Sequence, residues 1–415
     1  MRIVSASNPA AISGLTSVDR AKNPRVRALV ARIVRDIDRR GDTALLQWRR
    51  KLDGDRGPIE IPMREVQATG ERTPRHVQKA IRMAIQQVER VAMRQIPTPF
   101  EITPSPGIRI EHRIVPLDRV GCYVPGGRHA LPSTVVMTVV PARVAGVKDV
   151  IVCCPKPTPA VLYAAAQAGA TRVFRMGGAQ AIAALAIGTR SVPRVDKIVG
   201  PGNAWVTAAK DLMVYDSRCA VDFHAGPSEI VILSDEGPAA WIAADLIAQA
   251  EHDPGARAIL VTTRPSLATM VAGEITAQMP AKGPAKEALD RQGAIIVARS
   301  RAEAYAVVAQ IAPEHLVCDR VSDVKHCGTA GTVFVGRWSA QAAGDYCTGS
   351  NHVLPTGGVA RARGGLSAAD FVRAFTVQHL TRRGLQHIAP AVLALADTEG
   401  LKGHAASIRL RLGAS

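Results

Sequence analysis

Val150-Ile151-Val152, Val173-Phe174 and Lys197-Ile198-Val199 are short β-branched or aromatic runs. The segments that follow them, 159–168, Ala179–Ile187 and Asn203–Val214, are rich in alanine. Apolar runs of this length between Gly and Pro read as buried strands, and the alanine-rich segments as helices. Such alternation builds a largely parallel sheet covered on both faces. The pattern resumes after Gly226-Pro227 with strand Ile230–Leu233, a helix from Pro238 to Asp253, and strand Ala258–Val261. A helix from Ser266, strand Ile295–Val297, a helix over 301–311 and strands near Val317 and Val333 follow. Two successive α/β lobes with a crevice between them are expected.

Outside this alternation the texture is helical. Val26, Leu29, Val30, Ile33, Val34 and Ile37 mark the apolar face of a helix starting at 18, restarted at Gly41-Asp42 and ended by Asp53-Gly54. A second helix over 74–95 carries Val77, Ile81, Ala84, Ile85 and Val88. After Gly364-Gly365 the pattern reads as helix throughout, with Ser367 as a cap, then 368–383, 386–396 and 399–411. This tail has little core of its own and must pack on something, a partner subunit being one candidate.

With 415 residues, 47% hydrophobic and 21% charged, the composition is that of a globular protein with a large core. Aromatics are only 4%, so the core must be built from Ala, Val, Ile and Leu. The longest apolar stretch, Leu131–Cys154, is broken by Pro132, Pro141, Arg143, Lys148 and Asp149, so no membrane span is expected. Met1–Ser5 carries no apolar leader core, and the seven scattered cysteines form no CxxC pair. Both point to a reducing cytoplasm. The formal charge of +17 attracts anions, but the basic residues are spread, without zinc-finger spacing or aromatic interleaving. Specific nucleic-acid recognition is not expected.

Five Gly- and Pro-rich islands carry polar side chains: Gly121–Gly127, Met176–Gln180, Gly200–Asn203, Ala225–Glu229 and Gly344–His352. Ligands of open α/β sheets bind at strand carboxyl ends, and a strand-to-helix turn with free N–H groups suits a phosphate. No GxGxxG follows any strand, so the ordinary dinucleotide fingerprint is missing.

Two further clusters carry chemistry. Gln249 and His252, three residues apart near a helix end stopped by Pro254, can hold a metal or a polar substrate. The alternative is a helix terminus with His252 capping the last carbonyls. Glu314-His315, after Pro313 and before strand Leu316-Val317, offers a general acid/base pair; the alternative is an exposed loop. Cys122 and Cys347 have no activating neighbour in sequence and read as packing residues.

Nine ordered motifs carry a resemblance: VGCYVPGG, PSTVVMTVVPARVAG, GGAQAIAALAIGT, VDKIVGPGNAWVTAAK, AGPSEIVIL, ADLIAQAEHDP, APEHL, AGDYCTGSNHVLPTGG and EGLKGHAASIRLR. From about residue 20 to 411 the chain resembles the histidinol dehydrogenases, NAD-dependent alcohol/aldehyde dehydrogenases that oxidise L-histidinol to L-histidine in histidine biosynthesis. The resemblance implies one zinc ion per subunit, held by Gln249, His252, Asp345 and His404. It implies that Ser228, His315 and Glu399 contact L-histidinol beside the metal ligands, and that Tyr123, Gln180 and Asn203 contact NAD. Glu314 and His315 become the catalytic pair. It further implies a homodimer with shared active sites and two incomplete Rossmann-like lobes. On this reading 1–20 is an N-terminal segment. Residues 21–119 with 231–365 form the lobe carrying most metal and catalytic residues, 120–230 form the NAD-binding lobe, and 366–415 form a helical tail exchanged with the partner. Trp338–Gln341 and Phe223-His224 depart from the usual pattern without touching a matched position. The competing reading is a paralogue acting on another small alcohol, such as a sulfonated diol.

Overall fold

The computed structural model describes residues 1–16, 24–126, 131–216, 218–223 and 226–413. Residues 18–23 of the first expected helix, Gly127, His224 and Ala225 lie outside them. Among the described residues the strands are β1 (Arg2–Ser5), β2 (Glu60–Ile61), β3 (Phe100–Ser105), β4 (Ile108–Pro116) and β5 (Arg119–Tyr123). Then follow β6 (Asp149–Cys153), β7 (Arg172–Phe174), β8 (Lys197–Val199), β9 (Ala220–Val221) and β10 (Glu229–Leu233). The last are β11 (Arg257–Thr262), β12 (Ala294–Val297), β13 (His315–Cys318), β14 (Thr332–Val335) and β15 (Val372–Leu380).

The two expected parallel sheets are present. The first has the order β2-β7-β6-β5-β8-β9 and the second β1-β12-β11-β10-β13-β14. Within each, the five strands of the α/β alternation follow one winding, with the first strand central, the next two on one side and the last two on the other. All pairs in both sheets are parallel except β2 with β7. Both sheets are buried on two faces: β6 is buried at Val150–Cys153 and β10 and β11 along their whole length. Continuous Val/Ile/Leu runs are what a doubly covered parallel sheet requires. Small residues let the covering helices approach closely, as in the fully buried Ala179–Ala186 stretch.

The chain divides into two compact units, Met1–Gln95 with Leu117–Phe371, and Ile96–Pro116 with Val372–Ser415. The first holds both parallel sheets. Its internal grouping differs from the expected domain division. Helix Pro24–Arg40 packs on helices Gly178–Ile187 and Ala204–Tyr215, and helix Arg75–Gln95 on Pro132–Val144, so residues 24–95 cover the first sheet rather than joining 231–365. Their apolar stripe of Val30, Ile33, Val34 and Ile37 enters the same core as Ile182 and Val206. The N-terminal segment is also structured: β1 adds to β12 and the helix Pro9–Thr16 buries Ile12 and Leu15 beneath the second sheet.

The second unit corrects the all-helical tail. Residues 372–380 form β15, which pairs antiparallel with β4, and β4 pairs with β3. Val372, Phe375, Thr376 and Val377 favour a strand, and a distant partner at 108–116 supplies the ladder that propensity alone cannot reveal. Helices Arg382–Thr398 and Lys402–Leu412 follow and pack on each other.

Candidate active site

The Glu314-His315 pair sits where β13 begins, beside the start of β10. Ile230 is in register with His315, so Glu229 lies at the amino ends of the adjacent strands β10 and β13. Ahead of the pair, Ala312 ends helix Arg301–Ile311 in the left-handed region at φ 49°, a conformation costing an alanine roughly 1–2 kcal/mol. The sharp turn delivers Glu314 and His315 inward; both are buried.

Glu229 grips both through its main chain. Its N–H donates to Glu314 Oε2 at 2.8 Å, and its carbonyl lies 3.1 Å from His315 Nδ1. A carbonyl can only accept, so the imidazole carries its proton on Nδ1 and leaves Nε2 as the base. Glu314 Oε2 stands 3.5 Å from Nδ1, and Asp345 Oδ1 3.9 Å from Nε2. Burial acts to lower the His315 pKa, but the adjacent Glu314 and Asp345 carboxylates outweigh it and the net shift is upward.

Asp345 ends the short helix Gln341–Gly344, with Gln341 Nε2 donating to its Oδ2 at 3.0 Å. That helix packs on helix Ala239–Ala250, which carries Gln249 in its last turn. The helix ends three residues earlier than expected, so His252 is in the turn after the cap and is exposed. Gln249 is fully buried, yet neither its Oε1 nor its Nε2 has a hydrogen-bond partner. A buried amide without partners costs several kcal/mol unless something else engages it. Its free oxygen suits a cation, and carboxylate, such as that of Asp345 after the helix packed on this one, and imidazole are the other donors zinc favours. Among the described residues no three or more His, Cys, Asp or Glu gather as a metal site. The implied set draws on Gln249, which is outside that class, and on His404.

Ser228 is half-buried next to Glu229, and its carbonyl accepts from Arg257 N–H at 2.9 Å. His352, part of the fifth island but not singled out in sequence, has Nδ1 2.8 Å from the Asp345 carbonyl; burial lowers its pKa against the pull of Asp345. Glu399 and His404 belong to the second unit, at the end of helix Arg382–Thr398 and in the first turn of Lys402–Leu412, both exposed.

The expectation that islands mark strand carboxyl ends holds only for the first lobe. There Tyr123 ends β5 and Gly200 follows β8. Gly200 has φ 109° and a Cβ on it would lie 2.2 Å from the Tyr123 carbonyl oxygen, so only glycine fits. The N–H groups expected to await a phosphate are engaged. Gly177 donates to Asp53 Oδ2 at 3.1 Å and Gly178 to the Tyr123 hydroxyl at 3.1 Å. Gln180 is fully buried, with Nε2 on Asp53 at 3.1 Å and Oε1 without a partner. Asp53, legible in sequence only as a turn residue, thus holds this loop. Asn203 is exposed and caps its helix through Oδ1 to Trp205 and Val206 N–H. Buried Lys210 donates to the Gly200 carbonyl at 2.6 Å and to Asp222 Oδ1 at 2.7 Å, while Asp222 Oδ2 accepts from Gly200 N–H. Cys122 is buried and its thiol is pushed up to about 12 by burial, which bears out a packing role. No described helix is long and apolar enough to cross a membrane.

A family model described as histidinol dehydrogenase matches residues 17–412. A histidinol dehydrogenase of Methanopyrus kandleri is 43% identical over 403 residues, covering 92% of this chain and 93% of the relative. One from Vibrio parahaemolyticus is 38% identical, covering 94% and 93%. The crystal structure of histidinol dehydrogenase from Elizabethkingia anophelis superposes with TM-score 0.93 at 32% identity, covering 100% of this chain and 98% of that one.

Proposed function

The chain belongs to the histidinol dehydrogenase family, and we propose that it oxidises L-histidinol to L-histidine through histidinal, using two NAD and one zinc ion per subunit. The observation that carries this is the buried Glu314–His315 pair, fixed on one main-chain residue beside Asp345, with the partnerless Gln249 amide on the adjoining helix.

Gln249, His252, Asp345 and His404 would hold zinc, which when bound supplies a positive charge that anchors the substrate's imidazole and amine. Ser228, His315 and Glu399 would complete the substrate contacts. His315 Nε2 takes the alcohol proton as hydride leaves for the nicotinamide, giving the aldehyde. Glu314 then removes a proton from the water that hydrates the aldehyde, while His315 returns its Nε2 proton to the aldehyde oxygen and is again the free base. His315 accepts the hydrate's hydroxyl proton during the second hydride transfer, which yields the carboxylate. Tyr123, Gln180 and Asn203 would orient NAD at the first lobe; because Tyr123 and Gln180 are buried, they act from within the loop wall.

The protein works as a cytoplasmic homodimer in which the C-terminal helices bring Glu399 and His404 to the partner's site. Co-refolding His404→Ala with Glu314→Ala tests the exchange. Mixed dimers that regain activity support it, and mixed dimers that stay dead refute it. The substrate reading is tested by NADH formation with L-histidinol, other amino alcohols and hydroxysulfonates. Preference for L-histidinol by at least two orders of magnitude is expected; preference for a hydroxysulfonate would favour the paralogue.

A further inference from the structure

Glu229 and Arg257 have no role in the reaction scheme, yet both are buried charged residues at the edge of the site. They open β10 and β11, and the register sets them side by side. Arg257 Nη1 lies 3.3 Å from Glu229 Oε1, and Gly357 N–H donates to Oε2 at 3.2 Å. Each carboxylate oxygen therefore has its own anchor, one on the neighbouring strand and one in the loop after Asp345. The main chain of the same residue holds Glu314 through its N–H and His315 through its carbonyl.

A buried ion pair is weak as a source of stability, since apolar residues of equal volume fill such a space as well or better. Burial here pushes the Glu229 carboxyl up to about 7, against the pull of Arg257. What the pair offers is a fixed position for the first peptide of β10.

We propose that Glu229, clamped by Arg257, is the positioning residue of the catalytic pair: its side chain pins the strand end whose N–H orients Glu314 and whose carbonyl keeps the His315 proton on Nδ1. This rests on the reading of Glu314 and His315 as the acid/base pair. Misplacing a catalytic group by about 1 Å can cost on the order of 100-fold in rate. The cost should fall on turnover, because neither Glu229 nor Arg257 is among the substrate, NAD or metal contacts.

The test compares Glu229→Ala, Glu229→Gln, Arg257→Met and Arg257→Lys in the metal-loaded enzyme, with kcat, both KM values and metal content. The ¹⁵N resonances of His315, assigned by loss in His315→Asn, report its tautomer. Glu229→Ala and Arg257→Met are expected to lower kcat roughly 10- to 100-fold, with KM and metal content nearly unchanged and His315 shifted toward a mixture of tautomers. Glu229→Gln, which keeps an acceptor for Gly357 N–H, and Arg257→Lys should recover most of the loss. If the alanine variant does not fold, Arg257→Lys and Glu229→Gln decide by the same tautomer signal against Arg257→Met. An unchanged tautomer, a kcat within twofold of the parent, or a loss accompanied by metal release overturns the proposal. Retained turnover in His315→Asn would instead refute the acid/base reading, and the tautomer signal would still judge Glu229.

Discussion

In the first lobe β5 and β8 flank the point at which the strand order reverses; in the second, β10 and β13 occupy the same two places. Open α/β sheets bind ligands at the carboxyl ends on either side of such a point. The first lobe places Tyr123 and Gly200 at those ends. The second gathers Glu229, Glu314 and His315 at the amino ends instead. Its carboxyl ends are closed by polar groups that satisfy one another. Asp235 accepts from Thr262, Thr263 and Arg301, and Asp319 from Ser234 and the N–H groups of Asp235 and Glu236. At the amino edge the Gln249 amide is left without partners. One winding thus carries its unsatisfied and its chemically reactive side chains at opposite ends in the two lobes, and on the proposed function that difference divides the work.

If the lobes divide the work in this way, each can be damaged alone. Removing metal with a chelator should abolish activity while leaving NAD binding to the first lobe, measured by calorimetry, within about threefold; zinc should restore turnover. Full turnover in protein shown by elemental analysis to be metal-free would break the division. The reverse damage comes from Asp222→Asn, which leaves Lys210 buried without its carboxylate partner and loosens the Gly200 turn. We expect stability to fall by roughly 3–5 kcal/mol and the KM for NAD to rise about tenfold, with zinc content unchanged. A rise confined to the KM for histidinol would contradict the assignment of this loop.

A smaller effect concerns Asp245, one turn before Gln249. Burial raises its carboxyl to about 6 from 3.8. Its contribution to folding is therefore greatest below pH 3.8 and is lost as pH rises through 6, where the charge must be carried half-buried. In metal-free protein Asp245→Asn should be more stable to urea by roughly 1 kcal/mol at pH 8, a discounted figure for a partly exposed group, and equal to the parent near pH 3.5. An equal difference at both values would assign the effect to something other than this ionisation.

Much of this was legible in the sequence because parallel strands buried on both faces are written as uninterrupted Val/Ile runs, from Val150-Ile151-Val152 to Ile295–Val297. The Glu314–His315 pair was legible as adjacent chemistry. Its grip was not, since Glu229 acts through main-chain atoms that any residue possesses. Asp53 stood hidden in a turn because its partners lie more than 120 residues away. Long-range pairing also concealed β15, which finds β4 across more than 250 residues and so overrode the helical reading of 368–383. The placement of residues 24–95 on the first sheet depended on which apolar stripe met which, and periodicity gives the stripe without its destination.

Separating the two oxidations tests most directly the claim that chemistry resides at the amino edge of the second sheet. Glu314→Gln keeps the shape of the side chain and an acceptor for Glu229 N–H while removing the base. With histidinol and histidinal supplied separately, NADH formation from the aldehyde should fall about 10²- to 10⁴-fold, and formation from the alcohol by less than about tenfold. Equal losses on both substrates, or an undiminished aldehyde rate, would contradict the account.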